Sequence, residues 1–375
     1  MVYPRRVVIA PDSFKGSLGA AEVATSLARG WRREQPDAEI HLLPMADGGE
    51  GTLEAFLAAV PGSRRRGIRV TGADGNVHDG AWVVLPPDAD TPGGTGVVEL
   101  ADACGIEGLR GRLRPWDADT RGFGEAIAEA LDAGVSRVIL GIGSSASTDG
   151  GSGMLRALGA RVLDSRGQPV APGLRGLRDV ATVDLSALPA LPLAGVVVLA
   201  DVDNPLCGPR GAPAAFGSQK GISDDTVGEA DSLLASWAQY LPADPDAPGA
   251  GAAGGTGFAL QAWGARIVAG ASYVAQLLGV PALLSPDTIL VTGEGAYDAG
   301  SLTGKVPGVL CKLARDAGAH AALVAGRIDP AADTSAFTAA LSLSDLAGSA
   351  ASALAEPERH LEATGVVLAR EVAAP

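Results

Sequence analysis

Charged side chains suited to phosphate chemistry cluster in one glycine-rich stretch, TGEGAYDAGSLTGKVPG, which spans residues 292–308. It contains Glu294, Asp298 and Lys305. A short apolar run precedes it and predicts a buried strand, while apolar residues at helical spacing follow it and predict a helix. Backbone N–H groups at such a strand–loop–helix junction can bind an anion. The stretch therefore predicts a loop that binds phosphate or carboxylate.

Lysine is scarce in this chain, so the positions of the few lysines are informative. Of 29 basic residues only 4 are lysines, and Lys15, Lys220 and Lys305 lie in glycine- or turn-rich segments. Lysine is a compact, flexible positive charge that suits phosphate groups. We predict that these three lysines bind phosphate or a carboxylate. The alternative is that their placement is coincidental.

Two loops in the N-terminal part each follow a predicted strand. APDSFKGS follows the first strand and carries Lys15, and Ser17 is predicted to cap the next helix. ADGGEGT follows the second strand, and there Asp47 and Glu50 flank two glycines that let the backbone approach a ligand. For Glu50 the alternative is an interaction with the dipole of the following helix. Ligands bind beyond the carboxyl ends of strands in α/β sheets, so we predict functional roles for Lys15 and Asp47.

Paired carboxylates follow the strand predicted within LAGVVVLA at residues 193–200. In the next stretch, ADVDNPLCGPRGA, Asp201 and Asp203 are separated by one residue. Oxygen ligands at a strand end suit Mg²⁺, which takes one or two carboxylates and leaves the rest to water and phosphate. We predict a magnesium site here. The alternative is an Asx-type turn before Pro205.

The stretch GIGSSASTDGGSGM at residues 141–154 admits two interpretations. Gly141, Gly143 and Ala146 match the G-x-G-x-x-A pattern of dinucleotide-binding folds, which would indicate an NAD-dependent dehydrogenase. The segment that should form the next helix, however, contains three more glycines, and each costs about 1 kcal/mol in a helix interior. A phosphate-contacting loop fits the stretch better.

Composition limits the class of protein. The chain has 375 residues, 47% of them hydrophobic, and single cores rarely exceed roughly 250–300 residues, so we expect two domains. The net charge of −14 argues against a nucleic-acid-binding or anionic-membrane surface. Three widely spaced cysteines suggest neither a disulfide framework nor a zinc site. The start lacks a signal-peptide pattern and no apolar run is long enough to span a membrane, so we expect a cytoplasmic protein.

The order of predicted elements indicates an α/β protein with a second domain inserted. Strand–loop–helix units occupy both ends of the chain, which is typical of a parallel sheet. Residues 65–100 alternate apolar and polar side chains around an Asp-Gly pair, which favours antiparallel hairpins. ADPDAPGAGAAGGTG, within residues 242–257, has the composition of a flexible linker and by composition alone would mark a domain boundary.

Phosphoryl transfer requires the kinds of group that these loops supply. It needs cations and backbone N–H groups on the phosphates, a metal across them, and a positioned acceptor hydroxyl. The chain is not a P-loop enzyme, because Ala299 and Val306 occupy the first glycine and the final Ser/Thr position of the pattern around Lys305. The residues alone indicate a nucleotide-dependent transferase acting on a small acceptor.

Six motifs in the same order resemble those of the bacterial glycerate kinase family of the GarK/GlxK type. They are APDSFKGS, ADGGEGT, SSASTDGG, ADVDNPLCGPRGA with FGSQKG, GAGAAGGTG and TGEGAYDAGSLTGKVPG. The resemblance extends from Val7 to about Gly326. It implies transfer of the γ-phosphate of ATP to D-glycerate, with Mg²⁺, most often giving 2-phosphoglycerate.

The resemblance also implies an architecture. The expected fold class is α/β, with a flavodoxin-like parallel-sheet domain at residues 1–62 and 270–375. A mixed α/β domain at residues 63–269 would be inserted in it, with the assignment of 116–155 left open. The active site would lie in the cleft between the domains. No nucleic-acid or membrane partner is expected, and a homodimer is left open.

Roles for individual motif residues follow from the same resemblance. The metal, or the orientation of the glycerate hydroxyl, is assigned to Asp201 and Asp203. Phosphate or the glycerate carboxylate is assigned to Lys15, Lys220 and Lys305. ATP contacts are assigned to Gly143, Ser144, Ser145 and Gly293. Asp47, Glu294 and Asp298 are assigned to the cleft as acids. Which of them is the general base and which is a metal ligand stays open.

Three positions depart from the usual pattern of the family. Ser144 replaces a glycine, Thr148 replaces an asparagine, and Ser218 stands where proline is usual. The resemblance also changes the interpretation of GAGAAGGTG, which becomes an ordered glycine turn near the cleft rather than a linker. Three alternatives stay open: a 3-phosphate product, an NAD-dependent dehydrogenase, and a non-catalytic protein that closes on a small anion.

Overall fold

The described chain alternates strands and helices, and its buried aliphatic runs form the strands. The structure is a computed structural model, and it describes residues 6–372. The strands in chain order are β1 (Arg6–Ile9), β2 (Glu39–Leu42), β3 (Arg64–Thr71), β4 (Val77–Leu85), β5 (Thr95–Glu99), β6 (Arg137–Gly141), β7 (Arg161–Leu163), β8 (Thr182–Asp184), β9 (Val196–Leu199), β10 (Arg266–Val268), β11 (Thr288–Tyr297), β12 (His320–Ile328) and β13 (Ala339–Ser342). The α-helices are α1 (Ala20–Glu34), α2 (Thr52–Ala59), α3 (Leu100–Cys104), α4 (Arg121–Asp132), α5 (Ser152–Ala157), α6 (Gly173–Gly176), α7 (Ala212–Phe216), α8 (Val227–Ala238), α9 (Ala252–Trp263), α10 (Gly270–Leu277), α11 (Val280–Leu283), α12 (Val306–Asp316), α13 (Leu343–Leu346), α14 (Ala350–Ala355) and α15 (Pro357–Glu371).

The chain divides into two compact units. The first contains the residues up to Asp47, Glu54–Pro61 and the chain from Ala269 onward. The second contains Gly48–Leu53 and Gly62–Val268, and therefore includes the stretch 116–155. The expectation of an active site in a cleft between domains stays a prediction.

A five-stranded parallel sheet forms the centre of the first unit, in the order β2-β1-β11-β12-β13. Counted within the unit, this order is 2-1-3-4-5, which is the flavodoxin-like arrangement. The strand order reverses between β1 and β11, where Ile9 is the register partner of Val291. The runs RVVI and TILV are almost wholly buried, as expected of central parallel strands.

Helices α1 and α15 pack together within the first unit through small residues. A Cβ on Gly30 would collide with the backbone carbonyl of Glu362 and lie 3.0 Å from the Cα of Gly365. A Cβ on Gly365 would in turn collide with the carbonyl of Leu27. The two glycines therefore let the helix backbones approach more closely than larger residues would permit.

A six-stranded mixed sheet forms the centre of the second unit, in the order β10-β9-β6-β5-β4-β3. Its first four strands are parallel, whereas β4 and β3 form the antiparallel part predicted at residues 65–100. The Asp-Gly pair forms the β3–β4 turn, in which Gly75 has a φ of 84°. The predicted fold class, a flavodoxin-like parallel-sheet domain with a mixed α/β domain, is confirmed.

The structure corrects two local predictions and adds one strand that was not predicted. Helix α1 begins at Ala20, with Gly19 and not Ser17 at its N-cap, because Ser17 donates its N–H to Phe14 in a tight turn. Strand β11 continues to Tyr297, so its glycine-rich second half is strand rather than loop. Strand β13 was not predicted, since its short AALS sequence lacks the β-branched and aromatic residues that favour strands.

The glycine-rich segment with linker composition is folded. Helix α9 begins at Ala252, and residues 253–255 inside it adopt left-handed backbone angles. The prediction of an ordered glycine turn is thus confirmed, and the linker interpretation is wrong. Among the helices of residues 6–372, none is both long and apolar enough to cross a membrane.

Candidate active site

The carboxyl ends of β1 and β11 meet where the strand order of the first sheet reverses, and open α/β sheets bind ligands at such points. The N–H of Asp12 donates to the carbonyl of Gly293 at 2.9 Å. A tight turn at 14–18 follows, and exposed Lys15 lies in it. Gly295 lies against this turn, because a Cβ there would be 3.1 Å from the backbone nitrogen of Lys15. The first predicted lysine and the end of β11 therefore share one edge of the unit.

Lys305 lies between two of the predicted carboxylates. Its Nζ is 3.6 Å from Glu294 Oε2 and 3.7 Å from Asp298 Oδ1. Lys305 is also the N-cap residue of α12, so its backbone lies beside the N–H groups of the first helical turn. Ser301 completes the group, because its Oγ accepts the N–H of Asp298 at 2.9 Å. The structure thus brings together the three charged residues predicted in residues 292–308.

The two carboxylates beside Lys305 have opposite environments. Burial raises the pKa of Glu294, whose Oε1 is buried and has no hydrogen-bond partner among the described residues. Asp298 is exposed, and the backbone N–H of Gly300, followed by the charge of Lys305, lowers its pKa. Glu294 therefore holds a proton more readily than Asp298 does, and carboxyl pairs divided in this way typically divide acid–base roles.

Asp47 is half-buried at the end of the first segment of the first unit. A Cβ on Gly270, the first residue of α10, would collide with the Asp47 carbonyl, so the backbone of Asp47 lies against the start of that helix. Glu50 belongs to the second unit and is exposed. The structure therefore separates the two acids of the ADGGEGT motif into different units.

In the second unit, residues 48–53 lie across the carboxyl ends of β5 and β6. The carboxylate of Glu99, at the end of β5, accepts the N–H groups of Gly51 at 3.1 Å and Leu53 at 2.9 Å. The N–H of Gly143, after β6, donates to the carbonyl of Gly48 at 2.9 Å. Glu99 is only 4% exposed, and burial raises its pKa to about 7. The sequence analysis missed this residue, whose only signal is a carboxylate that ends a buried strand.

Ser144 adopts a left-handed backbone conformation, with a φ of 55°. Glycine reaches this region with less strain, which explains why glycine is usual at this position in the family pattern. The carbonyl of Ser144 accepts the N–H of Ile106 at 2.9 Å, and Gly105 forms a bridge with Ser145. The predicted nucleotide loop is therefore attached to the segment that follows α3.

Lys220 is buried beneath this loop and does not face solvent. It is 3% exposed, and its Nζ donates to the Oγ of Ser145 and to the carbonyl of Ser147, both at 2.6 Å. Burial lowers the pKa of Lys220 to about 8. The ammonium group thus has two protein partners inside the unit. Its hydrogen bonds hold the loop at Ser145 and Ser147 in place.

Asp149 anchors the far end of the loop and was not among the predicted site residues. Its fully buried carboxylate accepts hydrogen bonds from the backbone N–H and the Oγ1 of Thr120, and from the N–H groups of Gly151 and Gly153. Nearby Asp119 is also buried; burial, followed by the charge of Asp149, raises its pKa to about 6. The available sequence signal was an aspartate followed by two glycines.

The GAGAAGGTG turn packs directly on the same loop. A Cβ on Gly254 would collide with the carbonyl of Ser147 and lie 2.7 Å from the Cα of Thr148. The carbonyl of Gly254 accepts the N–H of Gly150 at 3.0 Å. Four of the six motifs, containing Gly48, Ser145, Lys220 and Gly254, therefore meet around one loop of the second unit.

The predicted metal ligands Asp201 and Asp203 lie on an exposed segment after β9. Asp203 forms an ion pair with Arg210 at 2.9 Å, and Asn204 donates to the Arg210 carbonyl at 2.7 Å. Residues 6–372 contain no group of three or more His, Cys, Asp or Glu side chains that could hold a metal ion. A metal carried mainly by water and phosphate oxygens requires only one or two protein carboxylates.

The dinucleotide-binding alternative fails on geometry. In that arrangement the glycine-rich turn leads straight into a helix whose N-terminus meets the pyrophosphate. Here α5 begins only at Ser152, and the residues between Gly143 and this helix bind Lys220 and the 253–255 turn instead. The stretch is a loop, as the glycine count had indicated.

A parallel sheet of flavodoxin-like order, with lysines and carboxylates at its ligand-binding edge, is an architecture suited to an α/β phosphotransferase. A sequence model of the Glycerate kinase family matches residues 7–373. The chain belongs to this family and is a kinase.

Individual relatives agree with the family assignment. The chain is 41% identical over 310 residues to glycerate 2-kinase of Escherichia coli K12, covering 80% of each protein. It is 36% identical over 330 residues to a glycerate kinase of Halalkalibacterium halodurans, covering 86% of this chain and 85% of the relative. A crystal structure described as "putative glycerate kinase 2" from Salmonella typhimurium LT2 matches 97% of both chains, with a TM-score of 0.83 and 37% identity.

Proposed function

We propose that the protein transfers the γ-phosphoryl group of ATP to the 2-hydroxyl of D-glycerate, giving 2-phosphoglycerate. The observation that carries this proposal is Lys305, which lies between Glu294 and Asp298 at the N-terminus of α12. A cation, helix N–H groups and a carboxylate of raised pKa are the groups that phosphoryl transfer to a hydroxyl requires. The name of the relative from Escherichia coli, glycerate 2-kinase, supports the choice of acceptor and position.

Within the first unit we assign phosphate or carboxylate binding to Lys15 and Lys305. Both offset the net charge of −14, which would otherwise repel an anionic substrate. Glu294 is our candidate to accept the proton of the glycerate hydroxyl, because burial raises its pKa while Asp298 stays ionised. Asp298 then holds the Lys305 ammonium, and Asp47 is assigned to orientation of the acceptor.

Within the second unit we assign the nucleotide phosphates to the backbone at Gly143, Ser144 and Ser145. Gly293, in the first unit, keeps its own assignment to ATP. Preorganised backbone N–H groups stabilise charge on phosphate oxygens without reorganising during the reaction. The N–H of Gly143 already donates to Gly48, so Gly143 would contribute the close approach of its backbone. Lys220 acts through the loop, because its ammonium already donates to Ser145 and Ser147.

Magnesium fits the donor set as a metal held mainly by ATP. Asp201 and Asp203 would supply its protein oxygens. When bound, the ion would neutralise charge on the phosphates. The remaining contributions belong to the side chains and N–H groups described above.

The proposal is tested with purified protein, ATP, Mg²⁺ and D-glycerate. We expect ADP release that depends on glycerate, and a phosphorus NMR spectrum of the product that identifies 2-phosphoglycerate. A 3-phosphoglycerate spectrum would keep the kinase but reverse the assigned position. No turnover with D-glycerate or any other hydroxy acid would refute the proposal.

The residue assignments are tested separately. Lys15→Ala and Asp203→Ala should each lower kcat/KM by about 10²-fold, as loss of a transition-state contact does. Glu294→Gln should lower kcat with little effect on KM, because it removes a proton acceptor rather than a binding charge. If a variant keeps a near-normal rate, the assignment of that residue to the active site is wrong.

A further inference from the structure

The second unit contains a cavity of about 870 Å³ whose lining includes none of residues 143–149. It is bounded by the β3–β4 turn, the start of α4, helix α5 and strand β7. Among the described residues that line it, none is a residue to which we assign a catalytic or nucleotide-binding role. Its volume lies within the range of roughly 300–1,000 Å³ that is typical of small-molecule sites.

Three arginines, Arg114, Arg156 and Arg161, line this cavity. Within residues 6–372, none of them forms an ion pair at 4.0 Å or less, although Arg114 donates to the backbone carbonyl of Asp74 at 2.6 Å. Each is attracted to a carboxylate beyond that distance: Arg114 to Asp74 and Asp117, Arg156 to Asp119, and Arg161 to Asp184. Guanidinium groups bind phosphate through paired N–H donors, and these three have donors to spare.

The carboxylates that line the cavity are engaged with other groups. Glu125 accepts the N–H of Thr71 at 2.7 Å and an arginine of α4 at 2.8 Å, and Asp117 pairs with Arg175 at 2.8 Å. The other two, Asp74 and Asp119, accept hydrogen bonds from nearby backbone N–H groups. The guanidinium N–H donors of the three arginines are therefore the charged donors of the wall that are not taken up at 4.0 Å or less by a carboxylate, and a ligand with a negative charge suits them.

Apolar side chains complete the wall. Ala157, Ala160, Val162 and Leu163 face the same cavity as the arginines. Inorganic phosphate alone would fill only a small part of 870 Å³. The combination of guanidinium donors with an apolar wall suits a molecule that has a charged end and a neutral body.

We propose that this cavity binds a small organic phosphate, with its phosphoryl group on Arg156 and Arg161 and its neutral body against α5 and β7. The site is connected to the candidate nucleotide loop, because Gly153 lines the cavity and donates its N–H to Asp149. Binding there would stabilise the end of that loop. The binding itself does not depend on the proposed function.

Calorimetry with glycerol 3-phosphate as the probe, and glycerol as the uncharged control, tests the proposal. It is carried out in a Lys305→Ala background, which weakens phosphate binding at the proposed active site. We expect Arg156→Gln with Arg161→Gln to weaken binding of the probe by about tenfold or more, since each loses a charge-assisted hydrogen bond. The matched control is Arg69→Gln, an exposed arginine of β3 outside the cavity, which should leave binding unchanged.

The outcomes distinguish binding at the cavity from non-specific attraction of the anionic probe to surface arginines. Equal binding in all variants, an equal loss in Arg69→Gln, or no binding of the probe would each overturn the proposal. Thermal unfolding of every variant checks that the fold is retained, and Arg161→Gln alone repeats the test if the double variant does not fold. The readout is binding, so the result stands whether or not the protein phosphorylates glycerate.

Discussion

Gly254→Ala would place a methyl group where the second unit has no room for one. The residue has a φ of 68°, and its Cβ would collide with the carbonyl of Ser147 and lie 2.7 Å from the Cα of Thr148. Carbon atoms in contact rest about 3.5–4.0 Å apart, so the turn and the loop must separate by about 1 Å. Both obstacles are backbone atoms, and no side-chain rotation can relieve the contact.

The expected cost has two parts. The left-handed backbone costs alanine about 1–2 kcal/mol, and overpacking adds about 1–3 kcal/mol to the loss of stability. A displacement of about 1 Å in a loop that positions substrate can cost about 10²-fold in rate. We therefore expect kcat/KM for D-glycerate phosphorylation to fall about 100-fold in a protein that still folds.

Gly134→Ala is the matched control. Gly134 also lies in the second unit and has a φ of 78°, but no described atom beyond its neighbours lies within 4 Å of the position of its Cβ. It carries the backbone strain without the collision, so it should lose stability and keep its activity. Steady-state kinetics and thermal unfolding of both variants decide the matter. Equal activities in the two variants would refute the view that this turn positions the loop at Ser147.

Three further changes test other parts of the structure. Lys220→Met should strongly lower kcat/KM, because the loop loses its contact with the Lys220 ammonium group. The Tm should change little, because removing a buried charge, whose pKa burial lowers to about 8, offsets the loss of its hydrogen bonds. A large fall in Tm with normal kinetics would contradict this. Burial raises the pKa of Glu99 to about 7, so its contribution to stability is present at low pH and is lost as the pH rises through 7. Between about pH 5 and pH 8, denaturant unfolding should therefore show that the free energy of unfolding falls by on the order of 2 kcal/mol more in the unchanged protein than in Glu99→Gln. Parallel pH profiles of the two proteins would refute the raised pKa of Glu99. Gly30→Ala, which collides with Glu362, should lower the unfolding free energy by about 1–3 kcal/mol, whereas Gly228→Ala, with open space in α8, should not; calorimetric unfolding compares the two.

Elements with a strong local pattern were predictable from sequence. Strand β1 and helix α12 lie where the sequence predicted a strand and a helix, because burial on one face or both imposes a recognisable period on the side chains. The second half of β11 was not predictable, since GEGAY has no strand pattern of its own. Its pairing with β12, where Glu294 is opposite Ala325, is what makes it a strand.

Some residues of the candidate site were likewise predictable from the sequence, and others were not. Residue types and spacing were sufficient to select Lys305, Glu294 and Asp298, because they lie within one segment that ends a strand and begins a helix. They did not indicate Asp149 or Glu99. The importance of these two carboxylates comes from the backbone N–H groups that they accept, and most of those groups belong to distant segments.

By itself, the sequence determined the α/β class, the family, and which loops carry charge at strand ends. Those properties depend on local pattern and on side-chain type. Only the tertiary structure decided that Lys220 is a buried partner of Ser145, 75 residues away, rather than an exposed charge. It also decided that a glycine-rich segment resembling a linker packs against the loop at Thr148. Burial and hydrogen-bond partners arise when distant segments meet, and no local pattern encodes that meeting.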